Sequence, residues 1–187
     1  MSDAFGFMFG FYGLLLSFAV AEIVSGFSRA YDERHKRRIG YVAPLFGTLL
    51  LIDLITFWMN AWAYRDLPDV SFLIALAVAL VALLYYFAAT QVFPKATEKE
   101  ALDDHIMEHR RVVVFCVVGS NVITLLPQAY YAITTPWPLS QTALWIGLNS
   151  VYYTLLATAA FARSKRLVGC VVAFTIVFVV SATVIFS

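Results

Sequence analysis

Long apolar runs alternate with short polar segments along this chain, and within the runs apolar residues cover every side of a helix. A helix needs roughly 20 apolar residues to cross about 30 Å of hydrocarbon. Six stretches have that length: 5–27, 41–64, 71–93, 112–132, 140–161 and 167–186. The strands of a membrane β-barrel would instead alternate polar and apolar residues. The pattern therefore predicts an all-α polytopic membrane bundle of six transmembrane helices, with residues 1–187 forming one domain.

Composition supports a membrane protein. The chain is 61% hydrophobic and only 13% charged, whereas soluble domains carry about 25% charged residues. Its bases are not interleaved with aromatic residues in the way that a nucleic-acid interface requires. We therefore expect the lipid bilayer as the principal partner and no nucleic acid.

The distribution of positive charge predicts the orientation of the bundle. Twelve of the 13 Lys and Arg residues fall in three segments, 28–40, 94–111 and 162–166, and Arg65 is the exception. Because basic loops stay in the cytoplasm, these segments are predicted to be cytoplasmic. The helices would then form three hairpins, with both chain ends outside. The chain is similar in a general way to small bacterial inner-membrane proteins, which implies that location, but no motif identifies a family.

The segment between the third and fourth apolar runs is the longest polar one. Thr97 and Glu100 have the spacing of a capping box, in which each side chain bonds the other residue's backbone amide. We expect a short cytoplasmic helix over about 98–110. It would continue directly into the fourth transmembrane helix, since no Gly or Pro interrupts 98–112.

Two acids lie within the predicted spans, Glu22 near the cytoplasmic end of the first and Asp53 near the middle of the second. An ionisable residue in the membrane is costly unless it is paired, solvated or protonated, which makes it a candidate for proton or ion handling. Asn121 and Asn149 lie at the same depth as Asp53 and would be supporting ligands. The alternative is that Asp53 is a neutral acid that only joins helices by hydrogen bonding.

His105, Glu108 and His109 form the other candidate site. On a helix, the two histidines share one face and Glu108 lies beside them, as a metal site or a pH sensor would require. However, the stretch lacks a third strong ligand of the kind that structural zinc sites use. We therefore expect no bound metal and no other cofactor. A solvated, charged helix start is the alternative.

Glycines at helical spacing mark the first apolar run: Gly6, Gly10 and Gly13. Small residues of this kind allow two membrane helices to approach closely. They would form either a homo-oligomer contact or an internal contact, and the sequence does not distinguish these.

Three functions are compatible with these features. The leading hypothesis is a small channel or transporter for protons or small cations, with Asp53 at its centre. The alternative is a non-transporting scaffold or regulatory subunit of a membrane complex, because buried charge is scarce and aromatic surface abundant. The third is a membrane metalloenzyme acting through His105 and His109 at the cytoplasmic face. An enzyme is the less favoured class.

Overall fold

A computed structural model describes residues 3–36, 38–62, 72–94, 101–134 and 138–186, with side chains at 6–36, 38–62, 72–94, 101–125 and 138–185. These residues form six helices and their connections, which confirms the all-α prediction. The helices are α1 (Asp3–Asp32), α2 (Val42–Ala61), α3 (Phe72–Val92), α4 (Leu102–Thr134), α5 (Leu139–Phe161) and α6 (Lys165–Phe186).

Five of the described helices, all except α4, are long and apolar enough to cross a membrane. The first turns of α4 are strongly charged, and they contain Asp103, Asp104, Glu108, Arg110 and Arg111. Large apolar side chains lie open at the surface, including Phe7 and Phe72, each 79% exposed, and Leu139, 86% exposed. Soluble monomers rarely expose extensive apolar surface. These features indicate a membrane-embedded protein.

Two helices extend further than their apolar runs. α1 continues to Asp32 instead of ending near residue 27, because the polar residues 28–32 include no Gly or Pro that would stop it. α4 begins at Leu102 and continues unbroken to Thr134, so one helix includes both the described part of the short cytoplasmic helix and the fourth apolar run. Thr97 and Glu100, the proposed capping box, lie outside the described residues.

Helix α2 is the centre of the bundle. It packs against α1, α3, α4 and α6, while α5 packs against α4 and α6. Its buried face includes Phe46, Leu49, Leu50 and Leu54, each at most 2% exposed. A polar residue on this face of α2 is therefore enclosed by other helices and kept away from lipid.

At one end of the bundle, the start of α4 caps the start of α2. The Asp103 carboxylate accepts hydrogen bonds from the backbone amides of Tyr41 (3.1 Å), Val42 (2.9 Å) and Ala43 (3.2 Å). The first amides of a helix have no partner within that helix, and a carboxylate satisfies them well. Gly40 adopts φ +68°, and any Cβ there would overlap the Asp103 side chain.

Further contacts gather the described parts of all three basic segments at this same end. The Lys165 ammonium forms an ion pair with Asp104. The Arg110 guanidinium donates to the Ala162 carbonyl oxygen at 2.9 Å, which joins α4 to the turn between α5 and α6. Together with the Asp103 cap, these contacts place the segments after α1, α3 and α5 side by side.

An aromatic pair fills the interior near this end. The rings of Phe27 and Phe93 meet edge to face, with centroids 5.2 Å apart. Phe93 lies directly over Gly26 of α1, and both rings contact the site where Gly47 of α2 has no side chain. The two glycines therefore provide the space into which the aromatic pair packs.

Candidate functional site

Asp53 lies inside the bundle. It is eleven residues beyond Val42, which is about 17 Å along the helix, and its side chain is on the buried face of α2, 6% exposed. A short carboxyl side chain at this depth cannot reach either membrane surface. Its polar atoms must find partners within the protein, because a buried polar group without a hydrogen bond is strongly unfavourable.

Two tyrosines from different helices provide those partners. The Tyr85 hydroxyl of α3 donates to Oδ2 of Asp53 at 2.6 Å, and the Tyr152 hydroxyl of α5 donates to Oδ1 at 3.0 Å. Both are buried, 1% and 8% exposed. Each carboxyl oxygen thus has its own hydroxyl partner, and one acid links α2, α3 and α5.

Other polar groups surround this pair of hydrogen bonds. The Asn121 side chain of α4 lies close to Asp53 and Tyr152, while its Nδ2 donates to the Val117 carbonyl oxygen of its own helix at 2.9 Å. Tyr12 of α1 and Tyr153 of α5 lie within range of the Asp53 charge. Five helices therefore contribute polar side chains around Asp53, here called the Asp53 network, and hydrogen bonds join three of these helices, α2, α3 and α5.

Tyr12 differs from Tyr85 and Tyr152 in the surroundings of its hydroxyl group. It is 2% exposed, and its ring meets the edge of Phe57, which in turn meets Tyr85. No hydrogen-bond partner for its buried hydroxyl is found among the residues whose side chains the structure describes. A buried unpaired hydroxyl is uncommon in folded proteins. Tyr12 therefore adds a free donor and acceptor close to the acid.

Hydroxyl groups suit an acid that changes its charge. A hydroxyl can donate one hydrogen bond and accept others, whereas an ammonium or guanidinium can only donate. Tyrosines can therefore donate to an ionised Asp53 and accept from a protonated one by rotating their O–H bonds. Within the described part of the chain, no Lys, Arg or His pairs with Asp53 to hold it in the ionised form. The site is chemically suited to bind and release a proton.

The structure does not bring Glu22 or Asn149 into this network. Glu22 forms an ion pair with Arg29 on its own helix at 3.0 Å. The Nδ2 of Asn149 donates to the Trp145 carbonyl oxygen, one turn earlier on α5, at 2.8 Å. Among the four residues predicted for an ion pathway, only Asp53 and Asn121 lie together.

Three members of the Asp53 network were not predicted from the sequence: Tyr12, Tyr85 and Tyr152. A signal existed, because tyrosine in membrane helices concentrates at the water interface, and these three lie near the middle of apolar runs. A tyrosine at mid-depth needs a partner for its hydroxyl. Pairing mid-depth tyrosines with the single mid-depth acid would have given these residues as candidates, together with their neighbours Tyr86 and Tyr153.

The histidine stretch has a different arrangement. His105 is 7% exposed, and its ring stacks on that of His109 with centroids 4.3 Å apart and planes 20° apart. Because the rings are stacked, their nitrogen lone pairs lie in separate planes and do not point at a common position. Glu108 is exposed. The described residues contain no group of three His, Cys, Asp or Glu side chains placed to hold a metal ion.

Tyr85→Phe tests the hydrogen bond to Asp53, and Tyr86→Phe, at an exposed neighbouring position, is its control. We expect Tyr85→Phe to lower the free energy of unfolding by about 1–2 kcal/mol, since a buried acceptor loses its donor, and Tyr86→Phe to change it little. Thermal unfolding can be followed by the reactivity of buried Cys116 in a Cys170→Ser background, because Cys170 is exposed. Equal melting temperatures for both variants would contradict the assigned hydrogen bond.

Comparison of the chain with protein-family models, with curated proteins and with solved structures finds no match. An assignment of function therefore depends on the chemistry around Asp53.

Proposed function

We propose that this protein is a small membrane transporter or channel that moves protons, with Asp53 as the site that binds and releases them. One observation supports this above the others: a carboxyl group inside the bundle has hydroxyl partners from two other helices and no described cationic partner. Such surroundings accommodate both charge states of the acid. A carboxyl with a mobile proton is the usual element of proton relays in membrane proteins.

Protons are favoured over small metal cations by the way the site is built. A bound cation requires several oxygen atoms whose lone pairs point at one position. Here the hydroxyls of Tyr85 and Tyr152 direct their hydrogens at Asp53 instead. The Asn121 amide and the Tyr12 hydroxyl would complete the proton site. Glu22 and Asn149 are left out because no described interaction links either of them to Asp53, whereas the Asn121 side chain lies close to it.

The proposed topology has six membrane crossings as three hairpins, with both chain ends outside and segments 28–40, 94–111 and 162–166 in the cytoplasm of a bacterial cell. The distribution of Lys and Arg supports it. Single-cysteine labelling tests it: in a cysteine-free background, Lys36→Cys should resist a membrane-impermeant reagent in intact cells and react after lysis. Ready labelling in intact cells would invert the topology.

The function is tested with purified protein in liposomes. We expect an imposed pH gradient to collapse several-fold faster with the protein than in empty liposomes, provided that a potassium ionophore balances the charge. Keeping K⁺ and its ionophore on both sides and exchanging only the remaining cation between Na⁺ and choline, with a protonophore as the positive control, separates proton flux from Na⁺ flux. No flux above empty liposomes at a pH difference of either sign would contradict the proposal.

A scaffold or regulatory subunit is the second candidate. It is favoured by one observation, that both oxygens of Asp53 already have hydrogen-bond partners, so the network can serve to join α2, α3 and α5 alone. This hypothesis predicts a stable protein that moves no protons and that copurifies with another membrane protein.

A homo-oligomer contact through Gly6, Gly10 and Gly13 stays a prediction. Gly13 faces Trp58 of its own chain, whereas nothing lies within 4 Å of a Cβ placed on Gly10.

A further inference from the structure

We propose that the corner where α4 passes the turn between α5 and α6 binds the phosphate of an anionic phospholipid. The corner is formed by five cationic residues, here called the basic corner: Arg110, Arg111, Arg163, Lys165 and Arg166. It lies at the end of the bundle opposite the N-terminus of α1, and it contains none of the residues of the Asp53 network. The inference is independent of proton transport.

Arg110 and Arg111 form the centre of the basic corner. Arg110 reaches across to the turn, where it donates to the Ala162 carbonyl oxygen at 2.9 Å. Its Nε is buried and has no hydrogen-bond partner among the described residues. Burial and the adjacent Arg111 charge lower the pKa of Arg110. Two neighbouring guanidinium groups thus repel each other, and an anion between them would remove that repulsion.

The nearby acids neutralise only part of this charge. Asp104 is paired with Lys165, and Asp103 is engaged by the first amides of α2. Glu108 is exposed and forms no ion pair within the described residues. Arg163 directly follows Ala162, whose carbonyl oxygen Arg110 contacts, so it adds a further charge to the same turn. The basic corner therefore keeps a net positive charge, and arginine is the side chain best suited to phosphate.

An exposed aromatic surface adjoins the cations. The Arg111 guanidinium lies over the Phe161 ring, 5.3 Å from its centroid. Phe161 contacts Phe115 of α4 edge to face, with centroids 6.4 Å apart. Phe115 is 58% exposed, Phe161 57% and Leu167 49%. A free phosphate ion would leave this surface uncovered, whereas a phospholipid places its acyl chain beside the phosphate. The combination indicates a lipid.

Basic pockets between membrane helices are known to bind the headgroups of anionic lipids. The matched test uses protein in nanodiscs of phosphatidylcholine with one tenth phosphatidylglycerol, followed by native mass spectrometry of the lipids that remain bound. The test variant is Arg111→Gln with Arg163→Gln. The control is Arg34→Gln with Lys36→Gln, which removes the same charge from exposed positions after α1.

We expect the wild-type protein to retain phosphatidylglycerol over phosphatidylcholine, and the test variant to lose about tenfold in this preference. The control should lose less than twofold. Arg111→Lys keeps the charge but not the planar group, and its preference for phosphatidylglycerol should fall by an intermediate amount. This single variant serves as the test if the double variant does not fold. The melting temperature of each variant verifies folding.

Three results would overturn the inference. The first is an equal loss in the control, which would show attraction to the whole charged surface and no site. The second is no loss in either the double variant or Arg111→Lys. The third is displacement of the bound lipid by millimolar glycerol 3-phosphate, which would show that a soluble phosphate is the ligand. Retention of lipid in the presence of glycerol 3-phosphate supports the lipid site.

Discussion

Asp53→Asn is expected to reduce proton flux to the level of empty liposomes while leaving the fold intact. Asparagine has the shape of aspartate. Its carbonyl oxygen accepts from one of the hydroxyls of Tyr85 and Tyr152, and its amide nitrogen donates to the other. It has no titratable proton. The loss of flux would therefore exceed any effect on stability, and gradient collapse in liposomes measures it directly.

Asp32→Asn is the matched control for this variant. Asp32 ends α1 and is exposed, so the same chemical change there should leave flux at the wild-type level. Far-UV circular dichroism and the melting temperature verify that both variants fold. Wild-type flux in well-folded Asp53→Asn protein would remove Asp53 from the mechanism. If neither the wild-type protein nor the variant moves protons, the scaffold hypothesis is favoured over the transport proposal.

Gly26→Leu is expected to destabilise the protein more than any other substitution discussed. Gly26 is buried, and even a Cβ at this position would overlap the ring of Phe93, which is itself 4% exposed. Overpacking a full interior costs about 1–3 kcal/mol and sometimes more. A leucine adds three carbons beyond Cβ, so we expect about 3 kcal/mol, or a melting temperature lower by roughly 6–12 °C.

Gly10→Leu provides the control on the same helix. Nothing lies within 4 Å of a Cβ at Gly10, and leucine is the better helix former, so stability should not fall. A second comparison adds Phe93→Ala to Gly26→Leu. If the clash with the ring is the cause, the double variant should be more stable than the sum of the two single changes predicts. Additive losses would show that the ring is not responsible.

The hydrophobic pattern is sufficient to predict helices, because an apolar run of membrane length has few other structures available. It is weak in predicting which side of each helix faces the bundle. In a membrane, lipid and the protein interior are both apolar, so the pattern of a lipid-facing side resembles that of a buried side. This explains why Tyr85 and Tyr86 cannot be told apart in the sequence, although one bonds Asp53 and the other is exposed.

The similarity of lipid and protein interior also explains the outcome for the predicted site residues. Polarity at mid-depth singles out Asp53, Asn121 and Asn149 equally well. Both asparagines bond the backbone of their own helix, and only the rotation of each helix decides that the Asn121 side chain also lies close to the acid. The role of Asp103 depends on contact between residues 61 positions apart, which no local pattern in the chain records.

The cap that Asp103 provides has a consequence for the order in which the chain can mature in the cell. When α2 leaves the ribosome, the residue that satisfies its first amides lies 61 positions further along the chain. At about 5–20 residues per second, synthesis of that stretch takes several seconds. During this interval the start of α2 must rely on water for its hydrogen bonds. The start of α2 is thus synthesised early but capped late, when the fourth helix arrives.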